Sequence, residues 1–130
     1  MRNLILFVLG IAVGAFGAVS VVNTLRQRDA YPRGLMNVMQ HHQALLRQEL
    51  RRNRCDTNTT APALASLQQL ANDLEEAVYP DAIADAPFRE YAQKLRDALT
   101  AVSASADCPT LAPDVSKIGA ACDACHRQYR

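Results

Sequence analysis

The sequence predicts an all-α protein, an antiparallel four-helix bundle preceded by an N-terminal transmembrane helix or signal segment, and three observations carry that expectation. After Pro32, apolar residues recur at steps of three and four in four blocks, and no block alternates as a half-buried strand would. Before Pro32 stands one unbroken apolar run. Tryptophan is absent and aromatics make up 5% of a chain that is 49% hydrophobic, so aliphatic side chains must fill the core, which favours helices over a sandwich. With 130 residues the chain has room for one core. The expected division is 1–25 as anchor or signal segment, 26–31 as linker and 32–130 as the bundle domain. A net charge of +1 creates no broad field of one sign, which argues against nucleic acid as a partner.

From Leu4 to Val22 every residue except Ser20 is apolar or small. These roughly 19 residues, at about 1.5 Å each, are just long enough for a hydrocarbon core of about 30 Å. An anchor across residues 4–22 is one expectation; a cleaved signal with Ala18-Val19-Ser20 as its small-x-small site is the other. Gly10, Gly14 and Gly17 share a face that would let another helix approach closely in lipid, although glycines are also ordinary membrane-helix composition. Arginines flank the run on both sides (Arg2, then Arg26, Arg28 and Arg33), so the positive-inside rule does not orient it.

The first bundle helix is expected from about Pro32 to Asn53, with Leu35, Met36, Met39, His42, Leu46 and Leu50 on its inner stripe and Pro32 in its first turn. A polar loop from Asn53 to Thr60 follows. Leu64, Leu67, Leu70, Leu74 and Val78 define a second helix, about Ala61 to Val78, which Tyr79-Pro80-Asp81 interrupts. Phe88, Tyr91, Leu95, Leu99 and Val102 define a third, about Pro87 to Ser103. Leu111, Val115, Ile118, Cys122, Cys125 and Tyr129 define a fourth that starts near Pro113. In an up-down-up-down bundle the loops after the first and third helices lie at one end, and each holds one cysteine outside the C-terminal pair. A Cys55–Cys108 disulfide is therefore expected, against free thiols or an intermolecular link.

The chemistry concentrates in Cys122-Asp-Ala-Cys125-His126. Each thiol of a Cys-x-x-Cys-His run can add across one haem vinyl group, and the adjacent histidine is the proximal iron ligand. A thioredoxin-like pair would need a βαβ context, and zinc would need a fourth ligand with only His41 and His42 on offer. One covalent haem c is the cofactor expected. Because haem c is attached after export, the C-terminal domain belongs on the periplasmic side of a bacterial inner membrane, or free in the periplasm if the leader is cleaved.

The ending Cys122-Asp-Ala-Cys125-His126-Arg-Gln-Tyr129-Arg130 resembles that of the cytochrome c prime family, a likeness extending over about Tyr31 to Arg130. The resemblance implies a four-helix bundle with electron transfer or NO and CO binding as its function, redox proteins as partners, no enzymatic activity, and often a homodimer. It implies that Arg130 pairs with a haem propionate, against a plain helix-end cation. Aligning Tyr31 and Met39 with family landmarks puts Met36 over the distal haem face, as iron ligand or as apolar lid, with Met39 beside it. Arg33 lies three residues before Met36, which departs from the family spacing, so a propionate role and a surface role both stand for it.

Outside this motif, His42 reads as a hydrogen-bonded core histidine and His41 as exposed. Arg47, Arg51, Arg52 and Arg54 read as helix-end cations remote from the haem. A third functional expectation is an accessory subunit whose glycine face docks onto a larger respiratory or photosynthetic complex.

Overall fold

A computed structural model describes the backbone of residues 2–103 and 107–129 and the side chains of 7–23, 30–103 and 107–129. It is all-helical: α1 (Arg2–Arg51), α2 (Thr57–Asn72), α3 (Leu74–Val78), α4 (Ala86–Thr100) and α5 (Cys108–Gln128), with no strand among the described residues. Backbone contacts divide the chain into two compact units, 1–33 and 34–130.

The first unit is helical, with Phe7, Val8, Leu9, Ile11 and Phe16 all exposed. A side chain built at Gly10, Gly14 or Gly17 would meet nothing within 4 Å. Among the described residues no helix is long and apolar enough to cross a membrane. The span expected at 4–22 begins with Leu4, Ile5 and Leu6, whose side chains lie outside the described residues. A linker at 26–31 and a helix start at Pro32 are both corrected, because α1 is helical through them and Pro32 lies inside it. One proline removes one backbone donor, which interrupts a single hydrogen bond without erasing the helical preference on either side.

In the second unit the boundaries follow from capping. Asn53, at φ 50°, closes α1 in the left-handed region that asparagine tolerates. Three residues later the Asp56 carboxylate accepts from Asn58 N at 2.9 Å and starts α2. The polar loop expected to run to Thr60 is thus shorter. Asp107 likewise accepts from Thr110 N at 3.0 Å, so α5 begins at Cys108 and not near Pro113, which lies inside it. Asp73 N donates to Leu70 O at 3.2 Å, a tightened turn that separates α2 from α3 where one helix is expected. The apolar stripe continues across this break, with Leu67, Ala71, Leu74 and Ala77 all buried, so periodicity does not reveal it.

The core joins Leu35, Met39 and Leu46 of α1 to Leu64 and Leu67 of α2, Leu95 and Leu99 of α4, and Leu111, Val115 and Ile118 of α5. Each fully buried aliphatic side chain contributes about 1.5–3 kcal/mol relative to an exposed one. Helix α4 packs against both α5 and α2. Gln68 Nε2 of α2 donates to Leu99 O at 3.0 Å, and Arg96 of α4 reaches Glu75 Oε1 of α3 at 3.0 Å.

Cys55 and Cys108 form a disulfide with Cα atoms 5.3 Å apart, tying the turn before α2 to the first residue of α5. Their 53-residue separation is long enough for the closed loop to stabilise the fold by roughly 4 kcal/mol on the chain-entropy account. Replacing both cysteines by alanine should lower the urea-unfolding free energy by up to that amount, and thiol titration of the unfolded, unreduced wild type should find neither Cys55 nor Cys108 free.

Candidate functional site

Cys122, Cys125 and His126 are spaced i, i+3, i+4 on α5, which puts all three on one helix face. That face continues the buried stripe of Leu111, Val115 and Ile118, and the cysteines are half-buried while His126 is exposed. The three residues border a cleft of about 550 Å³ that Met36 and Met39 of α1 also line. Met39 is buried and Met36 half-buried. The cleft has an apolar wall, including Leu67, Leu74, Phe88, Leu95 and Ile118, and a polar wall of Asn37, Gln40, Gln43, Arg47 and Arg51 on α1.

Burial raises the Cys122 thiol pKa, and Asp123 adds to this while Arg47 opposes it. Burial alone raises that of Cys125. Both groups are therefore neutral thiols at pH 7. Among the described residues no three His, Cys, Asp or Glu side chains converge as a metal-holding group. The donor set is instead two thiols and an imidazole strung along one edge of a largely apolar slot, which fits a flat, apolar, covalently tethered cofactor such as haem.

Other expected residues fall elsewhere. Arg33 belongs to the first unit, and Arg130 lies outside the described residues. His41 and His42 are not among the cleft residues, and their rings meet edge to face with centroids 5.5 Å apart. The buried His42 Nδ1 has no hydrogen-bond partner among the described residues, which corrects the expectation of a satisfied core histidine. Arg47 and Arg51 are a second correction, because they line the cleft. Residues 39, 43, 47 and 51 follow one another at steps of four, so the face carrying Met39 continues as Gln43, Arg47 and Arg51.

A carboxylate hub holds the end of the motif helix. Asp85, the N-cap of α4, accepts from Phe88 N at 2.7 Å, from Tyr129 OH at 2.6 Å and from Tyr79 OH at 3.0 Å. Phe88 meets Tyr79 and Tyr129 edge to face at 5.1 and 5.2 Å. Tyr129 N also donates to Cys125 O at 2.9 Å, so the residue that reaches Asp85 closes the last turn of the cysteine-bearing helix. No sequence pattern marks Asp85 beyond its position just before a helix.

The chain matches no protein-family model, no curated protein and no solved structure.

The hub makes stability pH-dependent at both ends. The Tyr129 hydrogen bond, followed by the Phe88 N–H, lowers the Asp85 pKa, so its contribution is present above the ordinary carboxylate range and is lost as pH falls. The same bond raises Tyr129 to about 12, so its contribution is present below the ordinary tyrosine value and is lost as pH rises towards that figure. Asp85→Asn should flatten the acid limb of the unfolding free energy between pH 7 and pH 3, and Tyr129→Phe should weaken both limbs. Urea unfolding across that range, with phenolate absorbance on the alkaline side, checks this.

Proposed function

We propose that residues 32–130 form an antiparallel four-helix bundle holding one haem c, and that the chain is a monohaem electron carrier outside the cytoplasm, of the kind its C-terminal motif resembles in the cytochrome c prime family. One observation carries this: Cys122, Cys125 and His126 border the same cleft as Met36 and Met39. When bound, the haem supplies a one-electron couple at iron. The chain's own residues tether, ligate and shield it. Cys122 and Cys125 would hold the haem through one thioether each, the thiol hydrogen passing to the neighbouring vinyl carbon. His126 offers the proximal nitrogen. Leu67, Phe88 and Leu95 would give the flat apolar body of the haem its packing surface.

The place of Met36 and Met39 in the cleft lining favours a second function, binding of NO or CO. As an apolar lid, Met36 would leave the sixth iron position open to small neutral ligands; as a ligand, it would raise the potential and suit electron transfer. Anchoring to the periplasmic face of an inner membrane through residues 4–22, alone, as a homodimer or within a larger complex, is supported by the exposed apolar side chains of 7–22.

After acid–acetone extraction, chain produced with haem maturation should retain one haem, and Cys122→Ala with Cys125→Ala should retain none; extractable haem in the wild type would sink the proposal. Met36→Ala should speed CO binding to the ferrous form in either function. A change from low-spin to high-spin ferric spectrum in that variant would select ligation, whereas a wild type that is already high-spin would select the lid. Full-length protein should remain in the membrane fraction through a high-salt wash and begin at or near Met1, whereas a soluble product starting near Val21 would identify a cleaved signal.

A further inference from the structure

Two guanidinium groups face the cleft with no acidic partner. Arg47 and Arg51 both line it, and among the described residues neither is in an ion pair. They are four residues apart on α1, a rise of about 6 Å at about 1.5 Å per residue, and project from the same face. Gln43, with its amide oxygen turned inward, accepts from Arg47 Nη2 at 3.2 Å. Opposite them, α5 carries Gly119, one turn before Cys122. A Cβ there would stand 2.7 Å from Arg47 Nη2 and 3.1 Å from that inward end of the Gln43 amide, so the missing side chain is what lets the guanidinium lie against the α5 backbone at the cleft wall.

We infer that Arg47 and Arg51 form a two-point carboxylate site on the polar wall of the cleft, and that it takes the two propionates of the haem; this rests on the haem proposal above. Haem is an amphiphile with a flat apolar body and two carboxylates along one edge. The cleft has the matching division, with Leu67, Phe88 and Leu95 on one side and two unpaired guanidiniums on the other. Asp123, the acidic side chain in the lining, stands on α5 with the cysteines and repels a carboxylate from that edge. A guanidinium binds a carboxylate through paired hydrogen bonds. The propionate role that the family resemblance gives to Arg33 and Arg130 passes to Arg47 and Arg51.

The test uses the full, haem-loaded chain as wild type, Arg47→Gln, Arg51→Gln and the double variant. Arg52→Gln, on the same helix end but paired with Gln48 and outside the lining, is the control. Midpoint potential and the propionate bending bands of the resonance Raman spectrum are read at one pH and salt, with helical circular dichroism confirming the fold. Loss of a cation favours the ferric form, so both single variants should lower the potential and shift a propionate band, and the double variant should do so more. Arg47→Lys and Arg51→Lys, which keep the charge, should restore most of the potential but not the band position. Arg52→Gln should follow the wild type. Potentials and bands in the Arg47 and Arg51 variants that coincide with Arg52→Gln would overturn the inference. So would unmoved bands together with a wild-type potential that responds to added succinate, which would assign the site to a free dicarboxylate. A wild type that holds no covalent haem would instead remove the underlying proposal, a separate result visible before any arginine is changed.

Discussion

One stripe on α5 does two jobs, and the rest of the second unit is arranged around that constraint. Its first part, Leu111, Val115 and Ile118, is fully buried and holds the helix in the core. Its second part, Cys122, Cys125 and His126, continues the same three-and-four spacing but faces an open slot. Because a helix is rigid over these few turns, packing the first part fixes where the second part points. The position of the two thiols is thus set by leucine, valine and isoleucine contacts lying away from them.

Rigidity at one end is not enough, since helix ends fray. The C-terminal turn of α5 is held by the Tyr129 hydroxyl on Asp85, and Asp85 also caps α4 through Phe88 N. One carboxylate therefore fixes the end of one helix and the start of another, and the edge-to-face rings of Tyr79, Phe88 and Tyr129 fill the space around it. At its other end α5 is fastened through Cys108 to Cys55. The cleft lies along a helix restrained at both termini.

Much of this was legible in the sequence, and what was not has identifiable causes. The inner stripes follow from periodicity alone: Leu35, Met39, Leu46, Leu64, Leu67, Leu95, Leu99, Leu111, Val115 and Ile118 are all buried. Prolines misled at two boundaries. Pro32 and Pro113 look like helix starts, yet each lies inside a helix whose limits are set elsewhere, for α5 by the Asp107 cap. The break at Asp73 leaves no trace in the hydrophobic pattern because the stripe crosses it. Arg47 and Arg51 look remote from the motif because they cluster at the far end of α1, whereas the cleft runs lengthwise along that helix and reaches them. Asp85 and its tyrosines come together only through tertiary packing, 44 residues separating Asp85 from Tyr129.

The disulfide has a consequence for assembly. Four cysteines can be paired completely in three ways, and two of those pairings consume Cys122 and Cys125 by joining them to Cys55 and Cys108. Only the Cys55–Cys108 bridge leaves the other two as a set, and in the fold they remain as the free thiols. The bridge thus sets Cys55 and Cys108 apart from the two cysteines of the C-terminal motif. It removes the two competitors of the C-terminal thiols and leaves the free sulfurs on one face of one helix.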